Sequence, residues 1–116
     1  MYMGSRLNKV GDWEELAKAS NYSASLLAKR CSVSLRQLER FFLYKTNQSP
    51  HQWLNELRQE QALKLMSGSC LAKEVAQQLG YKQAAHFSRE FKRFHGFSPI
   101  EIKRASVQES RNVAFR

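Results

Sequence analysis

Apolar residues recur every three or four positions along most of the chain, which is the spacing of amphipathic α-helices and not of strands. This periodicity predicts an all-α fold of seven helices. The helices are expected over residues 13–20, 24–31, 35–46, 49–67, 71–79 and 83–95, followed by a short one that starts at 98–99. The apolar stripes assign inward positions to Leu26, Leu35 and Phe94, and they leave Gln59 on an exposed face of the fourth helix.

Residues suited to helix ends stand at the boundaries of this pattern. Serine and aspartate side chains can accept hydrogen bonds from the first unpaired amides of a helix. Such residues precede six of the predicted helices: Asp12, Ser23, Ser34, Ser49, Ser69 and Ser98. Asn47 and Gly96 follow the third and sixth helices, where a residue that tolerates a left-handed backbone is favoured. We therefore expect short helices with well-defined ends.

One unit of this pattern occurs twice. Ala28 reappears 48 residues later as Ala76, and the Leu-x-Arg-x-Phe of residues 38–42 reappears 49 residues later as the Phe-x-Arg-x-Phe of residues 87–91. Each copy is a short helix, a tight turn and a second, basic helix, which is the helix-turn-helix arrangement. The longer interval indicates one extra residue before the second helix of the second copy. A duplicated unit predicts contact with two successive stretches of one partner.

Basic residues are concentrated in the second helix of each copy. The chain has 19 Lys and Arg against 10 Asp and Glu, a formal net charge of +9. The basic residues of these two helices are Arg36, Arg40, Lys45, Arg89, Lys92 and Arg93. The first predicted helix, in contrast, is acidic. This sorting favours a polyanionic partner, and two successive basic helices fit double-stranded DNA.

Polar residues at the start of each basic helix are the candidates for reading bases, because that half of a recognition helix reaches the base edges. They are Arg36, Gln37, Glu39 and Arg40 in the third helix, and Gln83, Ala85, His86 and Arg89 in the sixth. Arginine can pair with guanine and glutamine with adenine, while glutamate can accept from cytosine or orient a neighbouring arginine. Ala85 can let the helix sit deeply or contact a thymine methyl group. Ordinary solvated side chains would have the same composition, so both interpretations stay open.

Phosphate contacts are expected from residues beside these helices and from helix N-termini, whose unpaired amides attract anions. The expected residues are Ser34, Lys45, Ser49, Lys82, Lys92, Arg93 and Ser98. Lys92 and Arg93 fit a solvated face equally well. Such contacts position a protein on the duplex without reading its sequence.

The chain resembles the DNA-binding domain of the AraC/XylS transcriptional regulators in two stretches: LAKRCSVSLRQLERFF followed by SP, and VAQQLGYKQAAHFSREFKRFHGFSPIEIKR. The resemblance covers about residues 12–105. It implies two helix-turn-helix subdomains, at 12–48 and 68–106, joined by a connector helix at 49–67. The polar, unpatterned residues 107–116 are interpreted as a loose tail.

The resemblance also implies a function, that of a bacterial, sequence-specific regulator that binds two adjacent major-groove segments as a monomer. It places two sets of residues on the base-reading faces: Arg36, Glu39 and Arg40 on the first, and Ala85, His86 and Arg89 on the second. A connector of about 17 residues is roughly 26 Å long, so we expect two DNA blocks about one turn, or roughly 34 Å, apart. RNA polymerase is a further candidate partner, through the acidic first helix and through Glu56, Arg58 and Gln59. A solvated surface explains those residues equally well.

Other classes of function fit the sequence less well. His51, His86 and His95 form no catalytic or metal motif, so we expect no enzyme activity, no cofactor and no metal. A helical module for acidic protein partners would bind acidic peptides as well as it binds duplex DNA. A binder of RNA or single strands would need exposed aromatic residues for stacking, whereas the aromatic residues here fall on apolar stripes. Cys31 and Cys70 are expected to be buried free thiols, which fits a cytoplasmic protein.

Overall fold

The computed structural model describes Leu7 and residues 11–103. It contains the helices α1 (Trp13–Ala19), α2 (Ala24–Arg30), α3 (Leu35–Thr46), α4 (Pro50–Met66), α5 (Ala72–Gln78) and α6 (Ala84–His95). A further segment, α7, is helical from 99 to 103, and no residue of the described part is in a strand. The all-α prediction is confirmed, with helix ends close to those expected. None of the described helices is long and apolar enough to cross a membrane. The predicted tail at 107–116 lies outside the described residues.

The chain divides into two compact units between Arg58 and Gln59, which are neighbours within α4. In the first unit α1 packs on α2 and α2 packs on α3, and in the second unit α5 packs on α6. Helix α4 therefore contributes its first half to one unit and its second half to the other. The subdomain limits expected from the sequence, 12–48 and 68–106, stay a prediction.

Aromatic side chains form the core of the first unit. The ring of Trp13 in α1 stacks on Phe41 at 5.7 Å between centroids and meets Phe42 edge-on at 5.2 Å. Trp53 of α4 lies 5.1 Å from Phe42. Leu7 is fully buried and borders the same cluster. These contacts bury the inner face of α3 and hold it against α1 and the first half of α4.

The second unit has an aromatic core of the same kind. Phe87 and Phe91 of α6 are fully buried, with ring centroids 5.6 Å apart. Tyr81 lies 5.4 Å from Phe87, and Phe97 lies 6.0 Å from Phe91. The inner face of α6 is therefore fixed by aromatic packing, as the inner face of α3 is.

Equivalent backbone hydrogen bonds close the tight turn in both units. The amide of Val33 donates to the carbonyl of Ala28 at 3.0 Å, and the amide of Tyr81 donates to the carbonyl of Ala76 at 2.9 Å. Ala28 and Ala76 are both buried where the two helices of a unit meet. The duplication read from the sequence is therefore present in the backbone as well.

A left-handed residue lies in each turn and after each second helix. In the turns φ is +57° at Ser32 and +82° at Gly80, and after the helices it is +59° at Asn47 and +88° at Gly96. The amides of Asn47 and Gly96 each donate to the carbonyl four residues earlier, at 3.0 and 2.8 Å. The expected left-handed helix ends are confirmed. Serine and asparagine bear this strain in the first unit where the second unit has glycine.

Three residues predicted to be buried lie at the surface. Leu26, Leu35 and Phe94 expose 45%, 39% and 44% of their area. Leu26 precedes the buried Leu27 on the short helix α2, and its side chain points to the edge of the buried face. Leu35 is the first residue of α3, where the helix has not yet reached the core. Phe94 lies in the last turn of α6, where its ring meets His95 edge-on at 5.0 Å. The buried stripes are narrower than the periodicity suggested.

Gln59 is buried, although the sequence predicts it to be exposed. Only 1% of its area is accessible. Its Nε2 donates to the hydroxyl oxygen of Tyr81 at 2.9 Å. The reason is that the second half of α4 faces a second core, which the single-stripe reading of the helix did not include. Glu56 and Arg58 are half-buried, with Glu56 in a hydrogen bond and Arg58 against a tyrosine ring. The candidate polymerase surface formed by Glu56, Arg58 and Gln59 therefore makes contacts within the two units.

The N-terminus of α5 also differs from the prediction. Leu71, and not Ser69, occupies the N-cap position, and it makes no side-chain cap bond. The carboxylate of Glu74 accepts from the amide of Leu71 at 2.7 Å instead. Glu74 therefore supplies the half of a capping box that satisfies the N-cap amide, and the serine half, which would accept from a first-turn amide, is not present at Leu71.

Both cysteines are free thiols, but the sequence predicted burial of both and Cys70 is only half-buried. Cys31 is buried at the end of α2, and this burial raises the pKa of its thiol. A thiol kept protonated is a weak nucleophile. Cys31 therefore serves as a small core residue.

The left-handed end of α3 gives a test of this fold. Asn47→Ala should lower the free energy of unfolding by about 1 kcal/mol, because alanine must bear left-handed strain. Asn47→Gly should keep or slightly raise it, because glycine adopts that conformation freely. Urea denaturation of the two variants measures the difference. Equal stability would contradict a left-handed backbone at this position.

Candidate nucleic-acid interface

Helix α3 has a buried face and an exposed polar face. Leu38, Phe41 and Phe42 are buried on the inner side. The predicted base-reading residues lie on the rest of the surface: Arg36, Glu39 and Arg40 are exposed, and Gln37 is half-buried. Residues four apart project from the same side of a helix, so Arg36 and Arg40 share one edge. The structure thus leaves the basic face of α3 open to solvent.

Helix α6 repeats this division. Its inner side is made by Phe87 and Phe91. The predicted residues of the second reading face are all exposed: Gln83, Ala85, His86 and Arg89. Gln83 is the N-cap residue, in an extended conformation and without a side-chain cap bond, so its amide group is not used by the helix. The exposed His86 also makes a contact within the protein, because its ring meets the ring of Tyr81 edge-on at 5.2 Å.

The N-termini of α3, α4 and α6 carry no acidic residue in their first turn. Helix N-termini present unpaired amides and the positive end of the helix dipole, and both attract phosphate. The first turns of α1 and α5, in contrast, hold glutamates. The short helix α2 also lacks an acidic first turn, so this feature is shared by α2 and by the three long helices that the sequence assigned to DNA contact or to the connector. Their positive ends are therefore not neutralised by the helix itself.

Ser34 and Gln37 cap α3 reciprocally. The hydroxyl oxygen of Ser34 accepts from the Gln37 amide at 3.1 Å, and Oε1 of Gln37 accepts from the Ser34 amide at 2.8 Å. This is the capping box, whose signature is serine followed three residues later by glutamine. The sequence predicts Ser34 as a cap and Gln37 as a base-reading residue, and the capping bond of Gln37 is an addition from the structure. The cap fixes the Gln37 oxygen at the helix end, so its NH₂ group is the part that is free to turn toward a base.

Ser49 and Ser98 cap their helices in the same way but with different charge. Ser49 pairs with the neutral Gln52, whose Oε1 accepts from the Ser49 amide at 3.1 Å. Ser98 pairs with Glu101, whose carboxylate accepts from the Ser98 amide at 3.1 Å. A carboxylate at this amide competes with a phosphate and repels it. Ser49 is therefore the better placed of the two predicted phosphate contacts.

The predicted basic phosphate contacts are all exposed: Lys45, Lys82, Lys92 and Arg93. Arg93 pairs with Glu90 one turn earlier, at 3.6 Å between nitrogen and oxygen. The Arg93 side chain is 82% exposed, and so open an ion pair holds it only weakly. It can leave Glu90 for a stronger anion.

The described residues contain no candidate metal site. Among Leu7 and residues 11–103, no group of three His, Cys, Asp or Glu residues could hold a metal ion. The chemistry that the described surface offers is that of basic, amide and imidazole groups on the open faces of two helices.

Two basic helix-turn-helix units in one chain define a DNA-binding domain of the helix-turn-helix class. A family model described as a helix-turn-helix domain matches residues 27–105. The HTH-type transcriptional activator RhaS of Escherichia coli O1:K1 / APEC is 34% identical over 100 residues, which is 85% of this chain and 36% of RhaS. The chain thus spans about a third of the length of the curated relatives it matches.

Solved structures give the same assignment. An AraC-type transcriptional regulator from Chromobacterium violaceum is 26% identical with a TM-score of 0.67, over 81% of this chain and 88% of that one. The DNA-binding domain of AdpA, solved in complex with a target DNA, is 28% identical with a TM-score of 0.69, over 84% of this chain and 91% of that one. The chain belongs to the AraC/XylS family and is a DNA-binding domain of that type.

Substitutions at Ser34 separate its capping role from its predicted phosphate contact. Ser34→Ala should lower the free energy of unfolding by about 1 kcal/mol, because the cap is lost. Ser34→Asp should keep that stability but weaken duplex binding, because it adds a carboxylate where a phosphate is expected. Urea denaturation and fluorescence anisotropy with a labelled duplex measure the two effects. If the aspartate variant binds as tightly as the parent, no phosphate lies at this helix end.

Proposed function

We propose that this chain is a sequence-specific, double-stranded DNA-binding transcriptional regulator whose helices α3 and α6 enter successive major-groove segments of one duplex. The observation that carries the proposal is the pair of matched units, each with a buried aromatic inner face and an exposed basic outer face. The AdpA domain is solved with its target DNA, and RhaS is named a transcriptional activator, which supports the same function here.

In this proposal the exposed residues near the start of each reading helix contact bases. They are Arg36, Glu39, Arg40 and the NH₂ group of Gln37 on α3, and Gln83, Ala85, His86 and Arg89 on α6. Arg40 and Arg89 occupy equivalent places in the two units, and each is exposed. A forked guanidinium pairs well with the O6 and N7 atoms of guanine. These two arginines are therefore the residues from which we expect the most discrimination.

Phosphate contacts position the two units in the groove. We assign them to Ser34, Lys45, Ser49, Lys82, Lys92 and Arg93, with Ser98 the least favoured because of Glu101. The amides at the start of α3 and α4 support this assignment, because their first turns hold no acidic residue. Neutralising several phosphates releases counterions, so affinity should fall steeply as salt rises.

The two units are expected to read two blocks of one asymmetric site. Helix α4, whose halves belong to the two units, has 17 residues, or roughly 26 Å at the rise of an α-helix. That length is of the order of one turn of B-DNA, about 34 Å. One copy of the chain is then sufficient to occupy the site, in the bacterial cytoplasm and without catalysis. The acidic first turn of α1 remains the candidate surface for RNA polymerase.

Selection of bound duplexes from a random pool tests the proposed function. The recovered sequences should share two conserved blocks whose centres lie about ten base pairs apart. A competing pool of acidic peptides at equal charge should not displace the duplex. A single conserved block, or no preference over unrelated polyanions, would contradict the proposal.

Arginine-to-alanine variants test which unit reads which block. Arg40→Ala and Arg89→Ala should each weaken binding to the selected site by about 1–3 kcal/mol and relax one base position in a different block. Lys18→Ala is the matched control, since it removes one exposed positive charge from α1. Anisotropy titrations on the selected site and on single-base variants measure both effects. If the loss is the same on random DNA, the arginine contacts only phosphate.

A further inference from the structure

A buried amide lies behind the second reading helix. Gln59 is 1% exposed and belongs to the second unit. Its Nε2 donates to the Tyr81 hydroxyl oxygen at 2.9 Å, while its Oε1 is buried without a hydrogen-bond partner among the described residues. Burying an amide with one oxygen unpaired is costly, and an apolar side chain of similar size would avoid that cost. The polarity at position 59 therefore needs an explanation other than packing.

Tyr81 links this buried amide to the DNA-facing surface. It precedes Gln83, the N-cap of α6, by two residues, and its amide closes the turn onto Ala76. Its ring packs 5.4 Å from the buried Phe87. The same ring meets the exposed His86 imidazole edge-on, at 5.2 Å and 90°. One aromatic ring thus contacts the core on one side and a proposed base-reading residue on the other.

We infer that Gln59 and Tyr81 are positioning residues that set the base specificity of the second unit through His86. The Gln59–Tyr81 hydrogen bond fixes the Tyr81 ring, and the ring holds the His86 imidazole in one orientation toward a base edge. An exposed side chain that is already oriented loses less conformational freedom when it binds. The inference rests on the proposed function, because it takes the partner of His86 to be a base in the major groove.

The first unit lacks this arrangement, and that provides an internal control. The equivalent of Tyr81 there is Val33, whose amide makes the matching turn hydrogen bond to Ala28. Valine has neither a ring nor a hydroxyl group. Removing the Gln59–Tyr81 bond should therefore alter the block read by α6 and leave the block read by α3 unchanged.

The test compares Gln59→Leu and Tyr81→Phe in the full chain, each of which breaks the buried hydrogen bond while keeping the side-chain volume close to the original. Gln78→Leu is the matched control, since Gln78 is an exposed glutamine of the same unit. Base preference is measured by competition between duplexes that differ at one position in either block. Discrimination at the base read by His86, identified with His86→Ala, should fall roughly fivefold in both variants, the low end of a good base contact. Discrimination in the other block should not change.

A second readout does not depend on DNA. The ring proton resonances of His86 in the free protein should move toward those of a histidine without an aromatic neighbour in Gln59→Leu and Tyr81→Phe, but not in Gln78→Leu. A uniform loss of affinity or of stability, with base preference and His86 resonances unchanged, would overturn the inference and leave the proposed function standing. If the unmodified chain shows no second block, the proposed function fails and this inference fails with it. Tyr81→Phe is the smaller change, and it decides the question if Gln59→Leu does not fold.

Discussion

The burial of an aromatic row on each reading helix is the constraint on which the rest of the structure depends. Helices α3 and α6 have 12 residues each, and their partners α2 and α5 have seven. Isolated helices of this length are marginal in water, so each is stable only through the face it buries. The aromatic rows pack where the small residues Ala28 and Ala76 let a partner helix approach. The opposite face is left to solvent, and it is there that both units carry their basic, amide and imidazole groups.

Much of this fold could be predicted from the sequence because its signals are local. Apolar spacing placed the helices, and Ser34 and Asn47 marked the ends of α3, where the structure shows a capping box and a left-handed residue. The duplicated unit was visible at Ala28 and Ala76, which make the same turn hydrogen bond in the structure. Helix ends and turns are set by a few neighbouring residues, so a linear pattern is sufficient to locate them.

The features that could not be predicted from the sequence are those that depend on tertiary packing or on the orientation of single side chains. Gln59 was placed on the surface because a single apolar stripe was assumed for α4, whereas its two halves belong to two cores. In the candidate interface, the residues predicted to read bases lie at the exposed surface except for the half-buried Gln37, and their contact with bases stays a prediction. The capping bond of Gln37 and the bond from the Ser98 amide to the Glu101 carboxylate could not be predicted, because the same side chains could equally have pointed to solvent. Which side chains touch bases depends on a DNA partner and is therefore proposed from their exposure and chemistry.

Two equivalent helices in a single chain are proposed to read two separated stretches of the same duplex. Hydroxyl-radical footprinting of one chain on a selected site measures this most directly, because it maps protected sugars one by one. We expect two protected segments on one face of the duplex, with centres about ten base pairs apart. One short protected segment at full occupancy would contradict it.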